Sequence, residues 1–412
     1  MADFTIPTLQ VDPSTLPALL LTSDPNSFAR NTLRVRIPAI LRETIALNDF
    51  VPGIRDALED FQVELTDGQV RALQEEAPDA GFWQAVSAPY IGHSWLDVPW
   101  YWAEAFFYRR LLEATRYFQP GTWAGFDPFA AKKRTEWAPE AAPAAAETLL
   151  SGLPSDPAGR FQRLLHACLW GNRTDLSYAV AAHLGGTAAP YQERSNLLVD
   201  DTGAIWERLR SRPGGRIAII NDNAGTELAM DLALAEHLLA SGLATRVDLH
   251  LKPQPYFVSD AMKEDVMAGL AALPAGGAAA GQLAHRLEEH LAAGRLRLTA
   301  HWAYASSLFF FQLPEELRAD LAGMDLVLVK GDANYRRLVG DCHWPPTTSF
   351  AYATRYFPAP LAALRTFKAE LVVGLGPGEA ERLAAEDPSW LVNGRRGVIQ
   401  ANLAAGKARS FR

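Results

Sequence analysis

Cysteine is nearly missing from this chain: its 412 residues include two, Cys168 and Cys342. That is too few for a disulfide framework or a Cys-ligated zinc site, and it leads us to expect a reducing, cytoplasmic compartment. An excess of positive charge is missing as well. Lys and Arg number 39 against 47 Asp and Glu, a net charge of −8, which argues against a nucleic-acid partner held by bulk charge. Long apolar runs are absent too. The longest uncharged stretch worth testing, Ala268 to Ala284, is mostly Ala and Gly around a proline; it is too weakly apolar for a bilayer and reads as a loop, so no membrane partner is expected. The N-terminus has no basic segment followed by an apolar one, so no secretory signal is expected. Gly and Pro are scattered rather than clustered, which excludes collagen-like, low-complexity and coiled-coil classes. No heptad marks an oligomer. What remains is an acidic, soluble, globular chain longer than one hydrophobic core usually serves, so a main domain with a large cap is expected.

Two textures divide it. Residues 1–200 read as a helical, aromatic-rich cap. Within them, Trp100 to Phe118 places Trp102, Phe106, Arg109, Arg110 and Glu113 at spacings of three or four, a helical period with one strongly apolar face. Residues 138–143 and 151–157 are rich in Pro and read as loops. Residues 201–412 alternate short apolar runs with helical periods. The runs are Arg216 to Ile220, Arg246 to Leu251, Leu296 to Thr299, Asp325 to Val329 and Glu370 to Val373. This predicts an α/β domain, a three-layer α/β/α Rossmann-like sandwich around a mainly parallel sheet. Continuous apolar strands such as Ile217–Ile220 suit a sheet buried on both faces, and ligands of such sheets gather at the carboxyl ends of the strands.

Three strand ends carry unusual polarity. The first run is followed by Asn221-Asp222-Asn223-Ala224-Gly225-Thr226-Glu227 and a helix that Gly242 stops. An Asp or Asn there caps a helix well, but one cap does not account for three polar residues in a row with Glu227 one turn later. The second run leads into Lys252-Pro253-Gln254-Pro255-Tyr256-Phe257-Val258-Ser259-Asp260, where Ser259 or Asp260 is placed to begin a helix over Ala261 to Leu270. The third gives Lys330-Gly331-Asp332-Ala333-Asn334-Tyr335-Arg336, in which glycine permits a sharp turn. These ends offer carboxylates, amides and lysines, with no His or Cys. Oxygen donors select hard cations, so Asp222, the Asn223 amide oxygen and Asp260 are the expected metal ligands, and Mg²⁺ or Mn²⁺ the expected type. Phosphate ester chemistry follows, because the carboxylates repel a phosphate dianion unless a metal and a lysine, Lys330 or Lys368, balance them.

Combined, Asp222-Asn223-x-Gly225-x-Glu227, Lys252-Pro…Phe257-Val258-Ser259-Asp260, Lys330-Gly331-Asp332-x-Asn334-Tyr335-Arg336 and Leu364-Arg365-Thr366-Phe367-Lys368 resemble the signatures of the metal-dependent damage-control phosphatases, also called the acidic-residue methyltransferase family. The resemblance extends to Ala103-Glu104…Tyr108-Arg109-Arg110, to Asp127-Pro128-Phe129 with Lys132, and to Asn172-x-x-Asp175-Leu176-Ser177, covering about residues 90 to 400. The Arg-Thr-x-Lys form at 365–368 is similar to the subgroup acting on sugar phosphates. The resemblance implies hydrolysis of fructose-1-phosphate-like or fructose-6-phosphate-like monoesters, with Asp222, Asp260 and Lys368 catalytic. It implies substrate contacts from Asn223, Glu227, Lys330, Gly331, Asp332, Asn334, Tyr335, Arg365 and Lys368. Mn²⁺ is the first expectation for the metal, with Mg²⁺, Co²⁺ or Ni²⁺ as alternatives. Attack on phosphorus is expected either from metal-bound water or from Asp222, the latter through a phosphoaspartate that water then hydrolyses. Arg297 to Gln312 departs from the family's aromatic-rich run, and Ala333 stands where Leu is common. From the cap, Arg109 and Asn172 are candidates to reach the site.

Other signals read as structural. His285 and His290 are five residues apart, not the four that places two imidazoles on one helix face, and they read as solvated. Gly374-Leu375-Gly376-Pro377-Gly378 suggests a cofactor loop, but Pro377 removes a backbone donor, and a strand-to-helix turn is expected. His166, His183 and His237 read as ordinary helical residues. Two further functions stay in view. The first is S-adenosylmethionine-dependent protein-glutamate O-methyl transfer, with Glu227 and Asp260 at the cofactor, and the second is non-catalytic binding of sugar phosphates.

Overall fold

The computed structural model describes residues 6–171 and 196–405. Its centre is a seven-stranded sheet in the order β1-β7-β6-β5-β2-β3-β4. The strands are β1 (Leu197–Asp200), β2 (Gly215–Ile220), β3 (Ala244–Leu251), β4 (Leu296–Ala300), β5 (Leu326–Lys330), β6 (Leu361–Thr366) and β7 (Gly397–Asn402). All neighbours pair parallel except β6 with β7. The chain runs outward from β2 through β3 to β4, then returns to place β5 on the other side of β2. The order therefore reverses between β2 and β5, which opens a crevice at their carboxyl ends.

Alternation along each strand sends side chains to two apolar layers. Ala218, Ile220, Val327, Val329, Leu361 and Ala363 join one cluster with the aromatic helix Trp100–Ala114. Ile217, Ile219, Leu326, Leu328, Ala362 and Leu364 join another with the helices Ala142–Ser151, Pro157–Trp170, Thr226–Ala240 and Ala278–Ala292. Both faces are covered, as the continuous apolar runs of a parallel sheet require. The architecture is the expected α/β/α class. Residue 200 does not mark a change of core, because helices before it pack on both sheet faces and β1 begins at Leu197.

Several expectations are corrected. Glu370 to Val373 is not a strand. Arg365 donates to the carbonyls of Ala369 and Leu371, and Gln400 donates to that of Val373, so side chains satisfy this segment in place of a ladder. The sixth strand is Leu361–Thr366, whose two alanines weaken its β signal. Ala268 to Ala284 is not a loop but parts of the helices Lys263–Ala272 and Ala278–Ala292 around a short 3₁₀ turn. Alanine is the best helix former, and Leu270, Leu273 and Leu283 bury this segment's apolar side. The aromatic helix ends at Ala114, four residues before Phe118, where Arg116 takes a left-handed φ of 60°. It is buried from Trp100 through Leu112 rather than along one face. His290 is buried, whereas His285 is exposed. Among the described residues no helix is long and apolar enough to cross a membrane.

Candidate active site at the carboxyl ends of β2, β3 and β5

The residues following β2 and β5 flank the crevice where the strand order reverses. Capping does not explain them. The helix Thr226–Ala240 starts from Gly225 with no side-chain cap. The helix after β3 begins at Lys263 rather than Ala261, with Met262 at the cap position and Asp265 accepting its backbone N–H at 2.8 Å. Asp222, Asn223 and Asp260 are therefore free of helix-starting duty. The loop carrying Asp260 is drawn against the end of β2 by backbone bonds from Ala224 N to Ser259 O and from Ala261 N to Asp222 O, both 2.7 Å. Asn223 and Asp260 form an isolated antiparallel bridge.

Gly331 is required by space as well as by its φ of +84°. A Cβ there would lie 2.0 Å from Asp222 Oδ2, so the Asp222 carboxylate rests on the backbone that follows β5. Asn223 Nδ2 donates to Asp222 Oδ2 at 2.8 Å and to Glu227 Oε2 at 2.9 Å, while its Oδ1 accepts from Ser259 Oγ at 2.5 Å. Asp260 pairs with the buried Lys252 at 3.0 Å. Burial holds the Asp222 carboxyl well above the usual carboxylate range; Glu227 and Asp260 push it further up, against Lys252 and Lys368. Burial also raises Asp260, with Lys252 opposing. Negative charge is thus crowded into a buried crevice, the setting in which a hard cation relieves repulsion. Among the described residues, no three His, Cys, Asp or Glu side chains come together as a metal cluster. A cation here would rest on Asp222, Asp260 and the Asn223 amide, an oxygen donor set that leaves positions for water or substrate.

The second group of expected contacts divides. Lys330 is 1% exposed, and its ammonium lies 2.8 Å from both Glu227 Oε1 and Asp231 Oδ1. It is therefore not the cation facing a phosphate, and Glu227, engaged by Lys330 and Asn223, is not a free substrate contact. Asn334 Nδ2 bonds the carbonyls of Asn221 and Lys330, tying the ends of β2 and β5 together. Tyr335 is buried, with its hydroxyl on Gln400 at 2.8 Å. Arg365 is fully buried, stacks 4.4 Å from the Tyr335 ring and donates to Asp332 Oδ1 at 2.7 Å. The same Asp332 oxygen accepts the backbone N–H of Lys368 at 3.1 Å. Asp332, Tyr335 and Arg365 thus hold the turn that presents Lys368. The Lys368 side chain is half-buried, its charge reaches Asp222, and it is the member of the expected set left without an ion-pair partner among the described residues.

From the cap, Arg109 does not reach the site: it is buried against Glu75 at 2.6 Å and Asp79 at 2.8 Å. Glu104 pairs with Arg336. Lys132 is half-exposed and pairs with Glu43, whereas its neighbour Lys133 is buried between Asp127 and Asp265. Asn172, Asp175, Leu176, Ser177 and His183 lie outside the described residues. The glycine loop at 374–378 has its Gly374 and Leu375 N–H groups bonded to Thr348 and Pro346, so neither is offered to a cofactor. Because residues 370–373 are not a strand, this loop is not a strand-to-helix turn. Two residues without an assigned role belong to the constellation: Lys252, at the strand end where such residues are sought, and Asp231, one helical turn after Glu227.

Known proteins match this arrangement closely in sequence. The profile of the damage-control phosphatase ARMT1-like domain matches residues 32–383. The damage-control phosphatase ARMT1 of Danio rerio is 33% identical, with 93% of this chain and 96% of that protein covered. Those of Mus musculus and Homo sapiens are 31% and 30% identical, each covering 93% of this chain and 98% of their own. A DUF89 family protein of Pyrococcus horikoshii aligns structurally over 90% of this chain and 98% of its own, at 16% identity and a TM-score of 0.49, a likeness too distant to bear on function. With the profile covering most of its length and relatives of 30–33% identity along nearly all of it, the chain belongs to the damage-control phosphatase family, carrying an ARMT1-like domain.

Proposed function

We propose that this chain is a metal-dependent phosphoric monoester hydrolase acting on sugar phosphates of the fructose-1-phosphate or fructose-6-phosphate kind. The observation that carries the reading is the pairing of opposites in one crevice. Asp222 and Asp260 are buried carboxyls raised by burial and by their acidic neighbours, and Lys368 is a half-buried ammonium with no ion-pair partner among the described residues. Carboxylates alone would repel a phosphate dianion. A divalent cation, Mn²⁺ first among Mn²⁺, Mg²⁺, Co²⁺ and Ni²⁺, would supply the charge that neutralises the phosphate oxygens. Lys368 holds those oxygens from the other side, with its backbone fixed by Asp332. In the net reaction the ester P–O bond breaks, water supplies the new oxygen of the phosphate, and the sugar hydroxyl leaves with a proton.

The test is release of inorganic phosphate from a panel of hexose and pentose phosphates with each of the four metals. A chelator serves as control and Asp260→Asn as the blank protein. Metal-dependent release that disappears in the blank supports the reading and ranks the substrates. If no ester is cleaved with any metal, the hydrolase reading is lost, and methyl transfer from labelled S-adenosylmethionine becomes the next assay.

A further inference from the structure

We propose that Ser259 is a positioning residue for the cation site, its hydroxyl partnering the Asn223 carboxamide whichever of its ends faces Asp222 and Glu227. This rests on the reading of the crevice as a divalent-cation site. A carboxamide has one end that only donates and one that only accepts. Here the donating end is fully committed, with Nδ2 giving hydrogen bonds to Asp222 Oδ2 and Glu227 Oε2, and Oδ1 points to Ser259. For Asn223 to offer its oxygen beside Asp222, the carboxamide must turn by half a revolution, which brings Nδ2 to Ser259. A hydroxyl both donates and accepts, so it serves either orientation: it donates to Oδ1 in one and accepts from Nδ2 in the other. No other side chain is hydrogen-bonded to Asn223 Oδ1 among the described residues.

The loop is built to keep that hydroxyl in place. Phe257 and Val258 both adopt left-handed backbone conformations, with φ of 44° and 67°, unusual for an aromatic and severe for a β-branched residue. The conformation is held by packing: the Phe257 ring lies 4.9 Å from Tyr108 and 6.0 Å from Tyr101 on the buried aromatic helix. Ser259 is then fixed on both sides, its N–H on Phe257 O at 2.8 Å and its carbonyl on Ala224 N at 2.7 Å. Strain at a loop of this kind persists where the surrounding structure over-determines it, as it does here.

The experiment is isothermal titration calorimetry of Mn²⁺ into the full chain and its Ser259→Ala and Ser259→Thr variants, with metal-free melting temperatures measured alongside. Ser259→Ala is expected to weaken Mn²⁺ binding roughly 10- to 100-fold, as for other groups that orient metal ligands, with its metal-free melting temperature close to that of the parent. Ser259→Thr, which keeps the hydroxyl, is expected to bind within a few fold of the parent. Equal affinity in Ser259→Ala overturns the proposal, as does an equal loss in both variants, since that makes packing rather than the hydroxyl the cause. A parent chain that takes up no Mn²⁺ removes the cation reading itself, and the role of Ser259 with it.

Discussion

Lys330 ends β5 and Lys368 lies two residues past β6, yet the fold buries the first between two carboxylates and leaves the second half-buried without an ion-pair partner among the described residues, and Lys330→Met tests this. The ammonium of Lys330 is buried and shared between Glu227 and Asp231, each at 2.8 Å. Methionine fills much of the same space but leaves two buried carboxyls without their counter-charge. Removing one partner of a buried ion pair costs about 3–5 kcal/mol. For a chain of 412 residues the unfolding entropy is about 0.9 kcal/mol per kelvin, so the melting temperature should fall by about 3–6 °C. The pH dependence is the sharper signature. Asp231 is already raised to about 6, by burial and by Glu227 against the pull of Lys330. A carboxyl whose folded pKa exceeds its unfolded value binds its proton more tightly when folded, so the stability it contributes is lost as pH rises from about 4 through about 6. Without Lys330 the folded value climbs further, and the loss continues above pH 6, where the parent is level with respect to this group. The deficit of the variant should therefore be largest near pH 8 and shrink toward pH 5 in thermal unfolding followed by circular dichroism. A deficit of under 1 °C, or one that is the same at both pH values, would refute the buried-counterion account.

Lys368→Met should behave in the opposite way, with melting temperature nearly unchanged and kcat/KM for phosphate release lowered roughly 100-fold, as for loss of a preorganised cation at developing charge; steady-state kinetics and a thermal melt on one sample decide it, and retained activity removes Lys368 from the site. Gly331→Ala should lose both properties, because its Cβ would meet Asp222 Oδ2 at 2.0 Å and its φ is left-handed. A displacement of Asp222 by about 1 Å is enough for roughly a 100-fold loss of activity, so an active, stable Gly331→Ala would show that Asp222 does not need its seat on that backbone. Arg365→Lys should lower kcat and the melting temperature together, because lysine cannot hold Asp332 and the carbonyls of Ala369 and Leu371 together as the planar guanidinium does; kcat equal to the parent's would remove Asp332 and Arg365 as the supports of Lys368.

The sequence by itself determined the class of the sheet and the location of the crevice. Continuous apolar runs at 216–220 and 325–329 can be buried only between two layers, and polar residues at their carboxyl ends then have one place to point. Asp222 and Asn223 were legible as candidates because they directly follow the run 216–220, whereas Asp260 stands nine residues past β3 and is brought beside them by the backbone bonds that tie its loop to the end of β2. Tertiary structure decided which charges face one another. Whether a lysine beside a strand end reaches solvent or a buried carboxylate depends on Glu227 and Asp231, a hundred residues away in the chain, and no local period encodes it. Arg109 likewise looked free until the fold brought Glu75 and Asp79 to it. The strand Leu361–Thr366 was hidden for the same reason: two alanines are weak strand formers alone, and only the neighbours β5 and β7 supply the hydrogen bonds and burial that make them one.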